Sequence, residues 1–279
     1  MENKTLLLII DAQNDFFDIP ESVLKYRPTL PVPGSWSDAQ RLSDFIKSEK
    51  FNIDSVFATF DTHSEYDISH CSYWIDSETG ENPHPFTEIT LDSFISGKHT
   101  TSDPALKEHA QMYLQSLKDN GKPNHFLFPN HCIPGTEGYE IVAPVAEALA
   151  EWSQAKENKA IERFNKGENP NYEFFGPFES QVVVEHDDET KLKVDVIKNM
   201  VDNFDSILVS GQALSHCVGT GLKQIIDCIE SNYSEDEAKY HISKISLLAN
   251  TTSPVGGFEQ VGTEIIEFLK HKGVQITDV

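Results

Sequence analysis

Cys217 is the side chain with the clearest capacity for covalent chemistry. It lies in the segment GQALSHC, between an apolar run and a helical pattern. At the start of a helix, unpaired N–H groups and the positive end of the helix dipole favour a thiolate. The N–H groups of the turn at 212–217 are natural donors to an oxyanion. A buried cysteine on its own is more often an inert small hydrophobe, so a nucleophilic role depends on the residues around it.

Asp11 and Lys166 are the predicted partners of Cys217. Asp11 ends the first apolar run, and Lys166 follows a predicted strand at 159–164. A carboxylate can accept the thiol proton, and a nearby ammonium group lowers the pKa of a thiol. His216 is adjacent to Cys217, but neighbouring residues at a helix start face different directions, so a Cys–His pair is the less favoured alternative.

A second group of side chains has the composition of a metal site. It contains one carboxylate and three imidazoles, a set that suits Zn²⁺, Fe²⁺ or Mn²⁺. Taken alone, His70 or His131 would be interpreted as a surface or hydrogen-bonded residue. Cys71 and Cys132 directly follow these histidines and are the less favoured alternative ligands. The predicted ligands are Asp61, His63, His70 and His131.

Short apolar runs alternate along the chain with segments of helical spacing. Strands that alternate with helices indicate βαβ units and a parallel sheet that is covered on both faces. We therefore predict a three-layer α/β/α fold with a mainly parallel, Rossmann-like sheet. The predicted strands are 5–10, 55–60, 159–164, 206–210, 242–249 and 274–277, and the predicted helices are 38–47, 104–118, 139–152, 192–203, 215–229 and 262–271. Ligands of such sheets bind at the carboxyl ends of the strands, where the reactive side chains are expected to gather.

The whole chain, 1–279, is predicted to form a single domain with one insertion. Residues 72–125 have little strand pattern, contain several Ser, Thr, Gly and Pro, and include one clear helical pattern. Because so long a structureless loop is unusual in a compact domain, we predict that this segment is an ordered insertion or a lid.

Composition limits the class of partner. The chain has 22 Lys and Arg against 45 Asp and Glu, a formal net charge of −23, which disfavours nucleic acid and anionic membranes. Its apolar stretches are shorter than the roughly 18 residues of a membrane span, and its N-terminus lacks the pattern of a signal peptide. We therefore expect a cytoplasmic protein whose four cysteines are free thiols, ligands or nucleophiles rather than a disulfide framework.

Six segments distributed over most of the chain provide a further signal: LLLIIDAQNDFF (6–17), LPVPG (30–34), FDTHSEYDISH (60–70), FPNHCIPGTEG (128–138), RFNKGENPNYEFFGPF (163–178) and GQALSHCVGTG (211–221). In content and order they resemble the isochorismatase-like cysteine hydrolases, and within that family the nicotinamidases. The resemblance implies the isochorismatase-like hydrolase fold.

The resemblance also implies roles for the site residues. The catalytic triad would be Asp11, Lys166 and Cys217. One divalent metal ion, with zinc as the first choice and iron or manganese as alternatives, would be bound by Asp61, His63, His70 and His131.

The same resemblance implies how a substrate is held. A cis peptide would precede Ala213, and the oxyanion hole would consist of the backbone N–H groups of Ala213 and Cys217. The substrate-binding aromatic residues around a pyridine ring would be Phe16, Phe128 and Tyr172.

The implied reaction is hydrolysis of nicotinamide to nicotinate and ammonia through a thioester of Cys217. The complete ligand set favours a nicotinamidase, because isochorismatases and several carbamoyl amidases generally lack it. Thr62, Ser215 and the long gap at 71–130 between two ligands depart from the family pattern, so pocket size and exact substrate stay open. The alternatives are a cysteine hydrolase of another small amide or carbamoyl compound and a non-catalytic, metal-binding regulatory protein. The expected partner is a small-molecule amide, and a homo-oligomer is compatible with the sequence, which does not give the oligomeric state.

Overall fold

The computed structural model of the protein describes residues 3–279. In this range the strands are β1 (Thr5–Ile10), β2 (Ser55–Asp61), β3 (Trp74–Asp76), β4 (Glu88–Ile89), β5 (His99–Thr101), β6 (His125–Phe126), β7 (Glu162–Lys166), β8 (Ser206–Gly211), β9 (Ile245–Leu248) and β10 (Gln275–Thr277). The α-helices are α1 (Ser35–Glu49), α2 (Leu91–Ile95), α3 (Lys107–Asp119), α4 (Ala143–Ala155), α5 (Val194–Asn203), α6 (Gly219–Asn232), α7 (Glu235–Ser243) and α8 (Glu259–Lys272). Over these residues, none of the helices has the length and apolarity to cross a membrane.

Six strands form the central sheet in the order β10-β9-β8-β1-β2-β7, and every neighbouring pair is parallel. Each of the six predicted strands overlaps one of them. Helices cover both faces of this sheet. The predicted three-layer α/β fold is therefore confirmed.

The centre of the sheet is β1, whose sequence TLLLII is apolar on both faces. Leu6, Leu8 and Ile10 join one hydrophobic cluster with residues of α5, α6, α7 and α8. Leu7 and Ile9 join a second cluster with residues of α1 and α4. Successive side chains of a strand point to opposite faces, so a strand that is covered on both sides needs a continuous apolar run.

The segment predicted as an insertion contributes most of a third hydrophobic cluster. In it, β3 pairs antiparallel with β5, and β4 pairs antiparallel with β6. The helix α3 adds Tyr113, Leu114 and Leu117, and Tyr172 and Phe174 join the cluster from a later part of the chain. The sequence predicts α3 but not the four strands, because two or three residues are too few to show an alternating pattern.

The sequence analysis also misses α7 and extends a predicted strand into it. The residues at 242–243 end α7, and β9 begins only at Ile245. The start of α7 is a capping box in which Glu237 accepts the N–H of Ser234 at 3.1 Å. Ser-x-x-Glu is a known sequence signal for a helix start, so this helix was identifiable from the sequence.

His125 is buried beside the third cluster and makes the packing of that cluster sensitive to pH. Its ring lies 5.8 Å from that of Trp74 and 5.4 Å from that of Tyr113, and its Nε2 is 2.7 Å from the carbonyl oxygen of Ile68. Burial lowers the pKa of His125 from 6.5 to about 4. Between about pH 6.5 and about pH 4, His125 therefore binds a proton in the unfolded chain but not in the folded chain. The free energy of unfolding should decrease by at most about 1.4 kcal/mol per pH unit as pH falls through this range.

We expect His125→Gln to reduce this sensitivity to acid, because glutamine keeps a nitrogen donor but does not titrate. Melting temperatures measured by circular dichroism at about pH 7 and about pH 5 should show a smaller loss for the variant than for the wild type. An equal loss in both proteins would mean that His125 does not stay neutral in the folded protein.

Candidate active site

Four reactive side chains lie at the carboxyl ends of neighbouring strands. Asp11 follows β1, Asp61 ends β2, Lys166 ends β7, and Cys217 lies beyond β8. The register of β2 and β7 pairs Asp61 with Lys166. Because β8, β1, β2 and β7 are consecutive in the sheet, the structure brings these four side chains to one rim.

The backbone leaves β1 and β8 through two residues with positive φ. Asp11 has φ 49°, and its N–H lies 3.3 Å from the carbonyl oxygen and 3.2 Å from the Oγ1 of Thr59. Gly211 has φ 128°, and a Cβ there would overlap the carbonyl oxygen of Ile10. Only glycine allows this approach of β8 to the end of β1, so the local backbone fixes where Asp11 and the turn before Cys217 begin.

The Lys166 ammonium group is the centre of a buried charge cluster. Its Nζ lies 3.1 Å from Asp11 Oδ2, 3.2 Å from Asp61 Oδ2 and 3.5 Å from Cys217 Sγ. It also donates to the backbone carbonyls of 174–175 at 2.8 and 3.2 Å. Burial disfavours the charged form, but the two carboxylates outweigh it and hold the pKa of Lys166 well above its usual range. The side chain therefore stays an ammonium.

The thiol of Cys217 and the carboxyl of Asp11 are placed for proton transfer. One atom from each of Asp11, Asp61 and Cys217 lies within 4.8 Å of the others. Burial raises the pKa of the Cys217 thiol well above its usual range, although Lys166 opposes it. Burial also raises the pKa of Asp11. The expectation of a low thiol pKa at a helix start is thus wrong, and the sulfur needs a base, which a carboxylate of raised basicity can be.

The turn before Cys217 presents a free backbone N–H to the site. The peptide between Gln212 and Ala213 is cis, as the resemblance implies. The Gln212 side chain holds this turn, since its Nε2 donates to Asp38 at 2.8 Å and its Oε1 accepts from the N–H of Ser253 at 3.2 Å. Among residues 3–279 the N–H of Ala213 has no hydrogen-bond acceptor, and Ala213 lines the same cavity as Cys217. Such an N–H is available to an oxyanion.

The predicted metal ligands come together beside this cluster. The rings of His63, His70 and His131 have centroids 4.6 to 5.0 Å apart, and one nitrogen of each lies within 4.8 Å of the others. Asp61 approaches two of them: Oδ1 is 3.0 Å from His63 Nε2, and Oδ2 is 3.6 Å from His131 Nε2. The structure therefore brings all four residues to one place.

Partners outside this group orient two of the three imidazoles as metal ligands are usually oriented. His63 Nδ1 lies 3.1 Å from Asp67 Oδ2, and His131 Nδ1 lies 2.9 Å from the carbonyl oxygen of Pro129. The Nε2 atoms of both rings consequently face Asp61, within the group. In the described part of the chain, the buried Nδ1 of His70 has no hydrogen-bond partner. Metal-bound histidines commonly have a carboxylate or carbonyl on their second nitrogen, so these residues fit a divalent metal ion.

The two cysteines considered as alternative ligands lie apart from the histidine rings. The thiol of Cys71 donates a hydrogen bond to the carbonyl oxygen of Phe128, with Sγ and the oxygen 3.4 Å apart. The N–H of Cys132 donates to Asp15 at 2.8 Å. Within residues 3–279, the group of nitrogens at ligand distance includes neither sulfur.

A small cavity of about 30 Å³ lies beside Cys217. Phe16 and Phe128 line it, with ring centroids 5.5 and 6.0 Å from that of His131. Lys166 also lines this cavity. The cavity wall therefore brings together the thiol, the ammonium group and His131 of the histidine cluster.

Tyr172, predicted as a substrate-binding aromatic residue, does not line this cavity. Its ring lies 5.1 Å from that of His109 and 6.5 Å from that of Tyr113, inside the third cluster and not on the cavity wall. Phe175, three residues later, lines the cavity instead. The chain passes from the third cluster to the cavity between these residues, so position in the sequence alone does not show which aromatic residue lines the cavity.

Glu173 and His216 line the cavity but were not predicted to do so. Glu173 is buried, and burial raises its pKa to about 7. His216 was expected to point away from the site. Burial lowers the pKa of His216 to about 4, so its ring is neutral. No local sequence pattern marks either residue, because their exposure to the cavity depends on how distant segments approach each other.

Comparisons with known proteins identify the fold. No protein-family model and no curated protein matches the sequence. Among solved structures, the yeast nicotinamidase Pnc1p is 20% identical with a TM-score of 0.62, over 99% of this chain and 100% of that chain. The pyrazinamidase of Pyrococcus horikoshii in complex with zinc is 18% identical with a TM-score of 0.54, over 99% of each chain. PnC1 from L. infantum in complex with nicotinate is 17% identical with a TM-score of 0.54, over 100% of this chain and 94% of that chain.

These matches extend over the full length of the chain. At identities of 17 to 20% they establish the fold, which is the three-layer α/β fold of nicotinamidases and pyrazinamidases. A shared fold hosts different reactions, so the activity has to be argued from the site.

The histidine cluster predicts the metal content of the purified protein. Wild-type protein should retain about one equivalent of a divalent metal after dialysis, and His63→Ala should bind it at least about tenfold more weakly, because one of the imidazoles is lost. Elemental analysis by mass spectrometry measures both. The matched control is His125→Gln, which changes a buried histidine outside the cluster and should keep the metal. Equal metal content in both variants would contradict the assignment.

Proposed function

We propose that this protein is an amidohydrolase that converts nicotinamide to nicotinate and ammonia, with Cys217 as the nucleophile. The observation that supports this proposal most directly is the buried group of three side chains in which the Lys166 ammonium contacts both the Asp11 carboxylate and the Cys217 sulfur. A binding protein has no use for a thiol beside a base and a cation. The fold shared with nicotinamidases and pyrazinamidases makes a carboxamide the first substrate to consider.

In the first half of the reaction, Asp11 takes the proton of the Cys217 thiol and the sulfur forms a bond to the carboxamide carbon. The carbonyl oxygen becomes an oxyanion and accepts hydrogen bonds from the backbone N–H groups of Ala213 and Cys217. When the C–N bond breaks, Asp11 returns the proton to the leaving nitrogen, which departs as ammonia. The raised pKa of Asp11 suits both steps, because the carboxyl must first accept a proton and then hold it.

In the second half, a water molecule hydrolyses the thioester. Asp11 takes a proton from this water while its oxygen attacks the acyl carbon. The C–S bond then breaks, nicotinate forms, and the sulfur regains a proton. Lys166 makes contact with both Asp11 and Cys217. It therefore stabilises whichever of the two groups is negatively charged during the cycle.

A divalent metal ion bound by Asp61, His63, His70 and His131 would supply a Lewis-acidic position for the pyridine nitrogen and so orient the ring. We propose zinc as the first choice, with iron or manganese as alternatives, since one neighbouring structure is a complex with zinc. Phe16 and Phe128 line the cavity beside Cys217, and in this proposal they contact the faces or edges of the ring. Positioning of this kind lowers the activation barrier because the carboxamide is held near the sulfur.

A different small amide on the same three residues is the second candidate. It is favoured by the long segment at 71–130 between His70 and His131 and by cavity residues such as Glu173 that the family pattern did not predict. The choice between the two candidates depends on whether the site recognises a pyridine nitrogen.

Removal of the sulfur tests the nucleophile. Cys217→Ala should abolish ammonia release from nicotinamide, and Cys217→Ser should lower kcat by about a thousandfold or more, because a hydroxyl is a much weaker acid than a thiol. Ammonia is measured by a coupled assay under saturating nicotinamide.

The control for this experiment is Cys228→Ala, which removes a buried thiol in α6 that contacts none of the reacting groups. It should keep near wild-type kcat, even if its melting temperature falls. Retained turnover in Cys217→Ala, or loss of turnover in Cys228→Ala at a temperature where that variant is folded, would refute the role of Cys217.

Benzamide tests recognition of the ring nitrogen. It has the same carboxamide as nicotinamide but no pyridine nitrogen, so the metal-loaded wild type should hydrolyse it with a kcat/KM at least about tenfold lower. In His63→Ala, hydrolysis of nicotinamide should fall towards the benzamide level while iodoacetamide still alkylates Cys217. If the wild type hydrolyses both amides at the same rate, the pyridine nitrogen is not recognised and the second candidate takes precedence.

A further inference from the structure

A broad apolar groove lies beside the cavity of Cys217 and takes no part in the mechanism above. Its volume is about 720 Å³. Phe86 and Val261 on its wall are 54% and 36% exposed. Large apolar side chains that gather around an open groove indicate a binding surface. Other residues of its wall are Pro31, Pro33, Phe126 and Phe258.

The groove adjoins the cavity. The two share a set of wall residues, namely Leu30, Phe128, Phe175, His216 and Val255. Within the described lining of the groove there is no member of the reacting group and no histidine of the metal cluster. A molecule that enters the cavity and extends into the groove would therefore react at one end and only bind at the other.

The ring of His216 lies on the part of the wall that the two spaces share. It lies 4.8 Å from the ring of Phe258 and 5.4 Å from that of Phe175, at nearly perpendicular angles. Its Nδ1 is 2.9 Å from the Oγ of Ser215, which accepts the N–H of Val255. This shared part of the wall is a neutral ring among aromatic rings, so it presents an apolar surface to both spaces.

We propose that the groove binds an apolar, ring-sized extension of an amide whose carboxamide reacts at Cys217. This inference rests on the proposed function and names its substrate class more closely. The volume falls within the range of sites that bury small organic ligands. Among the described residues of the wall there is no lysine or arginine, and the protein has a net charge of −23. An anionic extension such as a phosphate is therefore disfavoured, and an uncharged apolar group is favoured.

Two probes test the proposal: nicotinamide with a benzyl group on the ring, and nicotinamide with a benzyl group on the amide nitrogen. Calorimetry with Cys217→Ala measures their binding without turnover. At least one probe should bind about tenfold or more tightly than nicotinamide, because its phenyl ring becomes buried in the groove. The probe that gains affinity shows whether the groove receives the ring side or the leaving-group side of the substrate.

The variant Val261→Trp fills the groove from α8, and Val23→Trp places the same substitution at an exposed valine that is not on its wall. Both are made in the Cys217→Ala background for binding and in the wild type for turnover. Val261→Trp should remove most of the gain in affinity of the benzyl probe and leave turnover of nicotinamide unchanged. Val23→Trp should change neither.

The outcomes separate this inference from the proposed function. If both benzyl probes bind no more tightly than nicotinamide, or if Val261→Trp has the same effect as Val23→Trp, the groove does not bind the substrate. If Val261→Trp instead changes the mass of the protein in solution, the groove is a contact between copies of the chain and the inference is overturned. The proposed function is judged separately, by ammonia release from nicotinamide in the wild type.

Discussion

The buried ammonium group of Lys166 is the interaction on which the site depends. A buried cation costs several kcal/mol unless opposite charges and acceptors surround it. Here Asp11 and Asp61 supply the charge, and the carbonyl groups of 174–175 supply further acceptors. The dependence is mutual, since loss of the ammonium would leave two buried carboxylates facing each other. The cluster therefore exists only when strands β1, β2 and β7 are aligned.

Asp61 links this charge cluster to the proposed metal site. Its Oδ2 contacts the Lys166 ammonium and lies 3.6 Å from His131, while its Oδ1 contacts His63. Opposite the carboxylate, His63 is held through its second nitrogen by Asp67. One side chain thus takes part in both electrostatic groups, so a change at either group alters the charge that the other experiences. The proposed positioning of the ring and activation of the sulfur are coupled through this carboxylate.

The segment at 72–125 supports the same site from a distance. Phe174 packs into the third hydrophobic cluster, most of whose residues come from the segment at 72–125. The carbonyl oxygen of Phe174 accepts a hydrogen bond from Lys166. Glu173 and Phe175, on either side of it, line the cavity. The packing of the segment at 72–125 consequently fixes residues 173–175, which present one carbonyl to the ammonium and two side chains to the proposed substrate.

The sequence by itself determined the six central strands, because buried parallel strands need continuous apolar runs, and it located Asp11, Asp61, Lys166 and Cys217 at strand ends. An apolar run and the reactive residue that follows it lie within a few consecutive residues, so both can be identified from the sequence. The tertiary structure decided the features that depend on contacts between distant segments. These include the raised pKa of the thiol, which results from burial, the position of Tyr172 in the third hydrophobic cluster and the short strands of the segment predicted as an insertion. They also include His216 at the cavity, since the direction of a side chain at a turn is set by the aromatic rings that pack around it.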